Sequence, residues 1–263
     1  YKKDNKFLVI ESFAPHEPWF VPKNYREIYD KSSTSEQIIS LYMDVSELDS
    51  SILKRTQANY SGVVTMCDKW FGYLYNSISN LDLIKNTIII VTTDHGHSIG
   101  DNNWMGKRGY PSTPEVLDVP LLIRHPGDSS GKGKNINILA QHTDITATIL
   151  DMVGIKTKNK KCVDANMFNS DYKESQYKLE KISDLHGISF YKNLVEEDEK
   201  FRNHVTVAWG TAVTVITDDW WFNCKINGKG SFLYNLKKEN PFSKNIASYN
   251  ADVIKDLFNI ALE

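Results

Sequence analysis

An aspartate and a histidine, Asp94 and His95, stand side by side directly after a run of apolar residues at positions 88–91. Carboxylate oxygen and imidazole nitrogen are both metal-ligand atoms in proteins, so the pair can hold one divalent cation. Gly96 follows them, and a glycine lets another stretch of backbone approach closely. These residues predict a metal site. The alternative is an Asp-capped turn in which His95 is merely hydrogen-bonded.

A glycine-punctuated loop at residues 100–109 carries side chains that suit an anionic substrate. Lys107 and Arg108 give this loop two cations, and an ammonium group can offset the charge of a bound anion. The planar guanidinium of Arg108 matches the oxygens of a tetrahedral anion. Trp104 is a candidate for the wall of a substrate pocket. The structural alternatives are a solvated cation for Lys107, an ion pair for Arg108 and loop packing for Trp104.

A third candidate, His16, lies in the sequence Pro-His-Glu-Pro at residues 15–18. The prolines enforce an irregular loop, and residues 7–13 before them are predicted to form a strand that places His16 at its end. Imidazole titrates near neutral pH, so His16 is suited to proton transfer.

The elements around these residues predict an α/β fold. Residues 88–91 are apolar on both faces, as expected for a central parallel strand covered by helices, and ligands bind beyond the carboxyl ends of such strands. Apolar residues at helical spacing between positions 63 and 81 predict a helix that packs on the sheet. Residues 119–124 predict another strand. The fold class is therefore part of a doubly wound mixed sheet flanked by helices.

The C-terminal residues predict a small antiparallel sheet plus a helix. Two strands are expected around a turn at Asp218 and Asp219, with a third strand at residues 232–236. An amphipathic pattern at residues 253–261 predicts a terminal helix that packs on this sheet. We expect a main α/β domain at residues 1–180 and a small α+β subdomain at residues 181–263.

In their types and order, these motifs resemble the sulfatases of the alkaline phosphatase superfamily. Members carry a strand that leads to Pro-His-x-Pro, a strand that ends in Ser/Thr-Asp-His/Asn-Gly, a Gly-Lys-Gly-like loop, and Val-Pro-Leu-Ile-Ile-Arg. The matching segments of this chain are residues 7–19, 86–96, 100–109 and 119–124, followed by a helical match at 141–154 and C-terminal matches at 184–189 and 232–236.

The resemblance implies a hydrolase that cleaves a sulfate ester of a small molecule or carbohydrate. It implies that Asp94 and His95 bind one divalent cation and that Lys107 contacts the non-bridging oxygens. His16 would contact the ester and protonate the leaving alcohol, with Arg108 as a further substrate contact. The imidazole ligand favours manganese on chemistry alone, whereas the resemblance implies calcium or magnesium, and we expect calcium.

One part of the family pattern is absent, namely the nucleophile. Family members carry Cys/Ser-x-Pro/Ala-x-Arg, oxidised to formylglycine, and none of Cys67, Cys162 and Cys224 lies in such a motif. No Asp-Asp pair precedes Asp218. We therefore expect the chain to be the C-terminal part of a larger enzyme, inactive alone, with the formylglycine in a missing N-terminal part.

Two alternatives stay open. The first is a single-metal phosphonate or phosphodiester hydrolase of the same superfamily; its two-zinc branch is disfavoured because no aspartate has a histidine four residues later. The second is a non-enzymatic binding protein that kept this part of the fold.

Composition agrees with a globular protein and gives little further information about function. The 263 residues carry a net charge of −2, which gives no reason to expect nucleic acid as a partner. No apolar run approaches 18 residues, so no membrane span is predicted, and three dispersed cysteines form no disulfide framework. Localisation and oligomeric state are not predicted.

Overall fold

The computed structural model describes residues 5–32, 42–126, 133–155, 185–195 and 201–262. The strands are β1 Met43–Asp44, β2 Ile89–Thr92, β3 Ser98–Ile99, β4 Trp104–Gly106, β5 Leu121–Arg124, β6 His204–Trp209, β7 Ala212–Thr217, β8 Trp220–Lys225 and β9 Phe232–Asn235. The helices are α1 Lys23–Arg26, α2 Ser50–Asn80, α3 Pro114–Leu117, α4 His142–Met152, α5 Tyr191–Val195 and α6 Ala251–Leu262. These mixed elements confirm the predicted α/β class. No helix in the described ranges has the length and apolar character needed to cross a membrane.

The chain forms two compact units. The first comprises residues 1–108 and 113–126, and the second comprises residues 109–112 and 127–263. The predicted boundary at residue 180 lies outside the described residues. Helix α4 belongs to the second unit, together with the C-terminal sheet.

Helix α2 organises the first unit. It begins after Asp49, whose side chain accepts a hydrogen bond from the Ser51 backbone N–H and so caps the helix. Its N-terminal half packs Val63 into a core with Trp19 and Met105. The predicted helix is confirmed. The C-terminal half of its apolar stripe is more exposed, as shown by Phe71 at 37%, Leu74 at 36% and Leu81 at 69%.

Strand β2, which precedes the predicted metal site, differs from the expectation in its direction. It pairs antiparallel with β5, with Ile90 opposite Ile123 and Thr92 opposite Leu121. We predicted a parallel strand at residues 88–91, and this prediction is wrong for the pairing of β2 with β5. An apolar run reports burial on two faces but carries no information about direction. Two neighbouring strands can be parallel only if a crossover connection, usually a helix, joins them. Residues 93–120, which connect β2 to β5, contain no such crossover helix.

Residues 7–13, predicted to form a strand, pair with no strand in the described part of the chain. Phe7 and Leu8 in this segment are 76% and 77% exposed. A β-strand requires a hydrogen-bonded neighbour, so a suitable sequence pattern alone does not produce one. Two small antiparallel pairings, β1 with β4 and β4 with β3, complete the sheets of this unit.

The second unit contains the predicted antiparallel sheet, in the order β6-β7-β8-β9. Strands β7 and β8 form the expected hairpin around Asp218 and Asp219, and β9 and α6 are also confirmed. Leu257 of α6 packs on Val215 and Phe222 of the sheet. Strand β6 was not anticipated from the sequence.

A buried polar cluster lies on this sheet. The side-chain oxygen of Asn223 accepts hydrogen bonds from the Ser112 backbone N–H at 2.9 Å, the Ser112 hydroxyl at 2.7 Å and the Thr214 hydroxyl at 2.8 Å. The indole N–H of Trp221 donates to the Ser112 carbonyl oxygen at 3.0 Å. All of these residues are buried. The cluster fixes residues 109–112 to the sheet, because each buried polar group finds a partner.

Helix α4 is held by a buried acid. Asp144 is fully buried, and its carboxylate accepts from the Gln141 backbone N–H to form a capping box at the helix start. The same carboxylate accepts from the Ile188 backbone N–H and pairs with Arg202 at 2.5 Å. Asp144 therefore acts at the third helical position, and Gln141 is the cap.

Candidate functional site

Asp94 and His95 lie beyond the end of strand β2, as predicted. The Asp94 Oδ2 atom is 3.5 Å from the His95 Nε2 atom, a separation that two ligands of one cation can have. The His95 Nδ1 atom lies 3.0 Å from the Gly96 carbonyl oxygen. Because a carbonyl only accepts, Nδ1 is the protonated nitrogen whenever the ring is neutral. In that form Nε2 has the free lone pair that a metal ligand needs.

The carboxylate of the pair is held ionised. Partial burial raises the pKa of Asp94, but the hydrogen bond from the His95 backbone N–H, together with the His95 charge and the Thr93 hydroxyl, outweighs it, and the pKa lies below the usual range. The Asp94 side chain is 82% exposed and the His95 side chain 30%. Both are accessible to an ion from solvent.

Asp94 and His95 supply two donor groups of types that bind metal ions, and their role as metal ligands stays a prediction. No group of three or more His, Cys, Asp or Glu side chains suited to a metal occurs within the described ranges. A carboxylate and a neutral imidazole fit a divalent cation in donor type, but they supply only part of a coordination shell.

Lys107 and His16 come together from distant parts of the chain. The Lys107 Nζ atom lies 3.0 Å from the His16 Nε2 atom, across 91 positions of sequence. The His16 Nδ1 atom lies 2.5 Å from the Glu17 carbonyl oxygen. An ammonium group only donates, so Nε2 accepts from Lys107 and Nδ1 donates to the carbonyl. Protonation of a leaving alcohol by His16 Nε2 would therefore require the doubly protonated ring.

Glu17 and Tyr42 complete this cluster and were not singled out from the sequence. The Lys107 Nζ atom is 3.0 Å from Glu17 Oε1, with side chains only 13% and 15% exposed. The Tyr42 hydroxyl donates to the same oxygen at 2.5 Å. The signal for Glu17 was its place in Pro-His-Glu-Pro beside His16, whereas nothing near Tyr42 in the sequence indicates a site.

The charges of this cluster stabilise each other. Burial raises the pKa of Glu17, but the hydrogen bonds from Tyr42 and Lys107 and the positive charge of Lys107 lower it to about 2. Burial lowers the pKa of Lys107, yet the hydrogen bonds with Glu17 and Tyr42 and the Glu17 charge raise it above its usual value. Both groups are therefore charged at neutral pH.

Gly106 sets the position of Tyr42. Its φ of 107° is in the region that favours glycine, and an added Cβ would lie 2.7 Å from the Tyr42 ring. The ring packs against the backbone of Gly106, directly before Lys107. The Lys107 ammonium lies 6.0 Å from the centre of the same ring. A glycine at this position thus lets one side chain support both the lysine and its carboxylate partner.

His97 is half-buried beside Trp19. Its ring packs edge-on against Trp19, with centroids 5.0 Å apart. Burial lowers the pKa of His97 to about 4; the charge of Glu17 acts against this shift, and those of Lys107 and His95 add to it. His97 therefore interacts electrostatically with Glu17 and Lys107 and with His95.

Arg108 and Trp104 interact with each other. The Arg108 guanidinium carbon lies 4.7 Å from the Trp104 ring centre, a cation–π distance. This cation–π pair lies in the same loop as Lys107, and the substrate contacts of Trp104 and Arg108 stay predictions.

Comparisons with known proteins identify relatives for this part of the chain. A family model described as Sulfatase matches residues 1–155, which include all the candidate site residues. An arylsulfatase of Clostridium perfringens is 28% identical over 165 residues, covering 57% of this chain and 34% of that protein. An ulvan-active sulfatase of Formosa agariphila is 29% identical over 157 residues, covering 59% of this chain and 30% of that protein. The chain thus spans about a third of the length of these relatives.

Solved structures share the fold. A phosphonate monoester hydrolase of Agrobacterium radiobacter superimposes with a TM-score of 0.70 at 20% identity, over 95% of this chain and 54% of that one. A protein solved in complex with its substrate, D-Glucosamine-2-N, 6-O-disulfate, gives a TM-score of 0.63 at 20% identity, over 81% of this chain and 40% of that one.

Proposed function

The chain belongs to the sulfatase family, a family of hydrolases, and from this premise we propose that it supplies the metal- and anion-binding part of an enzyme that hydrolyses a sulfate ester. The proposed substrate is a sulfated small molecule or carbohydrate. Relatives of this chain include sulfatases of such compounds by name, which supports the substrate class.

The observation that carries the proposal is the 3.0 Å approach of Lys107 Nζ to His16 Nε2. Two sequence motifs, 91 positions apart, converge on one point with a cation and an imidazole. A tetrahedral anion needs N–H donors fixed in advance of binding, and Lys107 offers them at little entropic cost because its side chain is already ordered.

In the proposed mechanism, Lys107 donates to the non-bridging oxygens of the ester, and His16 faces the leaving alcohol. Asp94 and His95 would hold a divalent cation, with calcium preferred over manganese or magnesium, and the cation would supply Lewis-acid stabilisation of the reacting ester. Arg108, at cation–π distance from Trp104, would present a second positive charge near the ester. A formylglycine nucleophile would come from a polypeptide segment outside these 263 residues, since no cysteine here lies in the required motif.

The test is kinetic and uses the complete gene product. Its coding sequence upstream of Tyr1 is first inspected for Asp-Asp and Cys/Ser-x-Pro/Ala-x-Arg. We expect hydrolysis of 4-nitrophenyl sulfate, with kcat/KM reduced roughly 10²–10³-fold in Lys107→Met, the range for loss of one charge-stabilising donor. Lys85→Met, which removes an exposed lysine paired with Asp82, should change kcat/KM less than twofold.

The result also separates the alternatives. A product that cleaves phosphonate or phosphate diesters and leaves the sulfate ester intact would move the assignment to the phosphonate branch. A product that cleaves none of these esters, with no nucleophile motif upstream, would leave only a binding protein.

A further inference from the structure

We propose that Glu17 makes this site selective for esters that carry one negative charge over esters that carry two. The selected class includes sulfate monoesters and phosphonate monoesters, and the rejected class is phosphate monoesters. The inference rests on the proposed function, since it assumes that Lys107 and His16 contact the ester.

The geometry of Glu17 supports this role. Its Oε1 atom lies 3.0 Å from the Lys107 ammonium, which also contacts the His16 ring. Tyr42 donates to the same oxygen and fixes the carboxylate in place. An anion that binds Lys107 therefore meets a carboxylate that is already bonded to that lysine.

The charges decide which anions fit. At neutral pH the charges of Glu17 and Lys107 cancel, so the pair presents no net charge to an anion that contacts Lys107. A sulfate monoester carries one negative charge, whereas a phosphate monoester carries close to two above its second pKa near 6. The second negative charge of a phosphate monoester gains no net attraction from the Glu17–Lys107 pair. It is repelled by the Glu17 carboxylate, because juxtaposed like charges are disfavoured.

The low exposure of Glu17 and Lys107 keeps the repulsion between the Glu17 carboxylate and a second substrate charge strong in salt. Salt screens exposed charges strongly but acts much less on partly buried pairs. At 15% and 13% exposure, Glu17 and Lys107 belong to the second group. The carboxylate is thus a fixed negative charge at the anion site and not a mobile surface acid.

Binding of three small anions to the 263-residue chain tests the proposal. Methyl sulfate and methyl methylphosphonate carry one charge at pH 8, and methyl phosphate carries close to two. Affinities are measured by NMR titration of the His16 ring signals without added metal, so that only side chains act. Glu17→Gln removes the charge with little change of shape, and Glu11→Gln, at an exposed position, is the matched control.

We expect the native chain to bind methyl sulfate and methyl methylphosphonate alike, and methyl phosphate about tenfold more weakly, or ~1.4 kcal/mol. Glu17→Gln should abolish this preference, and Glu11→Gln should retain it. A preference that survives in Glu17→Gln, or equal binding of all three anions by the native chain, overturns the role of Glu17 while leaving the anion site intact. If no anion shifts the His16 signals, the anion site itself fails, and the role of Glu17 with it.

Discussion

The backbone of Gly96 lies against the backbone of Glu115. A Cβ atom added at Gly96 would lie 2.1 Å from the Glu115 carbonyl oxygen, and the Gly96 N–H donates to the Val116 carbonyl oxygen at 2.8 Å. The residue that follows the proposed metal ligands is therefore joined to helix α3. Since the Gly96 carbonyl oxygen also contacts His95 Nδ1, this contact orients the imidazole.

Gly96→Ala should destabilise the chain and weaken metal binding. The methyl group must displace backbone, which costs about 1–3 kcal/mol of unfolding free energy. Urea unfolding and metal titration calorimetry measure the two effects. Gly72→Ala is the control, because nothing lies within 4 Å of its added Cβ in helix α2, and there we expect a gain of roughly 0.5–1 kcal/mol. Equal stability of Gly96→Ala and the native chain would contradict the close approach.

Calcium should stabilise the chain through Asp94 and His95. A ligand present at 100 times its Kd and bound only to the folded state raises the unfolding free energy by about 2.7 kcal/mol. We expect this increase in the native chain and its loss in Asp94→Asn. Thermal or urea unfolding with and without calcium measures the effect. Asp82→Asn removes an exposed carboxylate paired with Lys85 and should keep the full increase. Persistence of the increase in Asp94→Asn would place the ion elsewhere.

Glu17 should contribute a pH-dependent part of the stability. Its pKa in the folded chain, about 2, is below the value of 4.5 for a free side chain. A lowered pKa means a stabilisation that is complete above pH 4.5 and is lost as the pH falls towards 2, at most about 3 kcal/mol. The difference in unfolding free energy between the native chain and Glu17→Gln should therefore shrink from pH 5 to pH 2. With Glu11→Gln the difference should stay constant, and a constant difference for Glu17→Gln would refute the assignment.

Asn223→Ala should strongly destabilise the second unit. It leaves the buried Ser112 N–H and the Ser112 and Thr214 hydroxyls without their acceptor, and each unsatisfied buried group costs about 1–3 kcal/mol. We expect the unfolding free energy, measured in urea, to fall by about 2–4 kcal/mol. This is less than the summed cost of the three groups, because relaxation and entering water satisfy part of their hydrogen bonding. Asn227→Ala, which removes an acceptor at an exposed turn, should cost less than about 1 kcal/mol. Similar losses in the two variants would mean that the cluster is open to water.

The local patterns of the chain determined much of its structure. The hairpin at Asp218 and Asp219, helix α6 and the long helix α2 follow from spacings of two or of three to four residues, which fix the faces that an element buries. The order of short motifs was sufficient for the family, because each motif is contiguous in sequence. The position of Asp94 and His95 after an apolar strand was predictable for the same reason.

Tertiary structure alone decided the direction of β2 and the contacts of Glu17 and Tyr42 with Lys107. Strand direction and strand pairing depend on a neighbour that the local pattern does not specify. Glu17 pairs with Lys107 only because the fold brings together segments 90 residues apart. Tyr42 contacts this pair because its ring packs directly on the backbone of Gly106. Residue type and spacing report the chemistry that a side chain can perform, whereas its partner, burial and pKa depend on long-range packing that no local pattern contains.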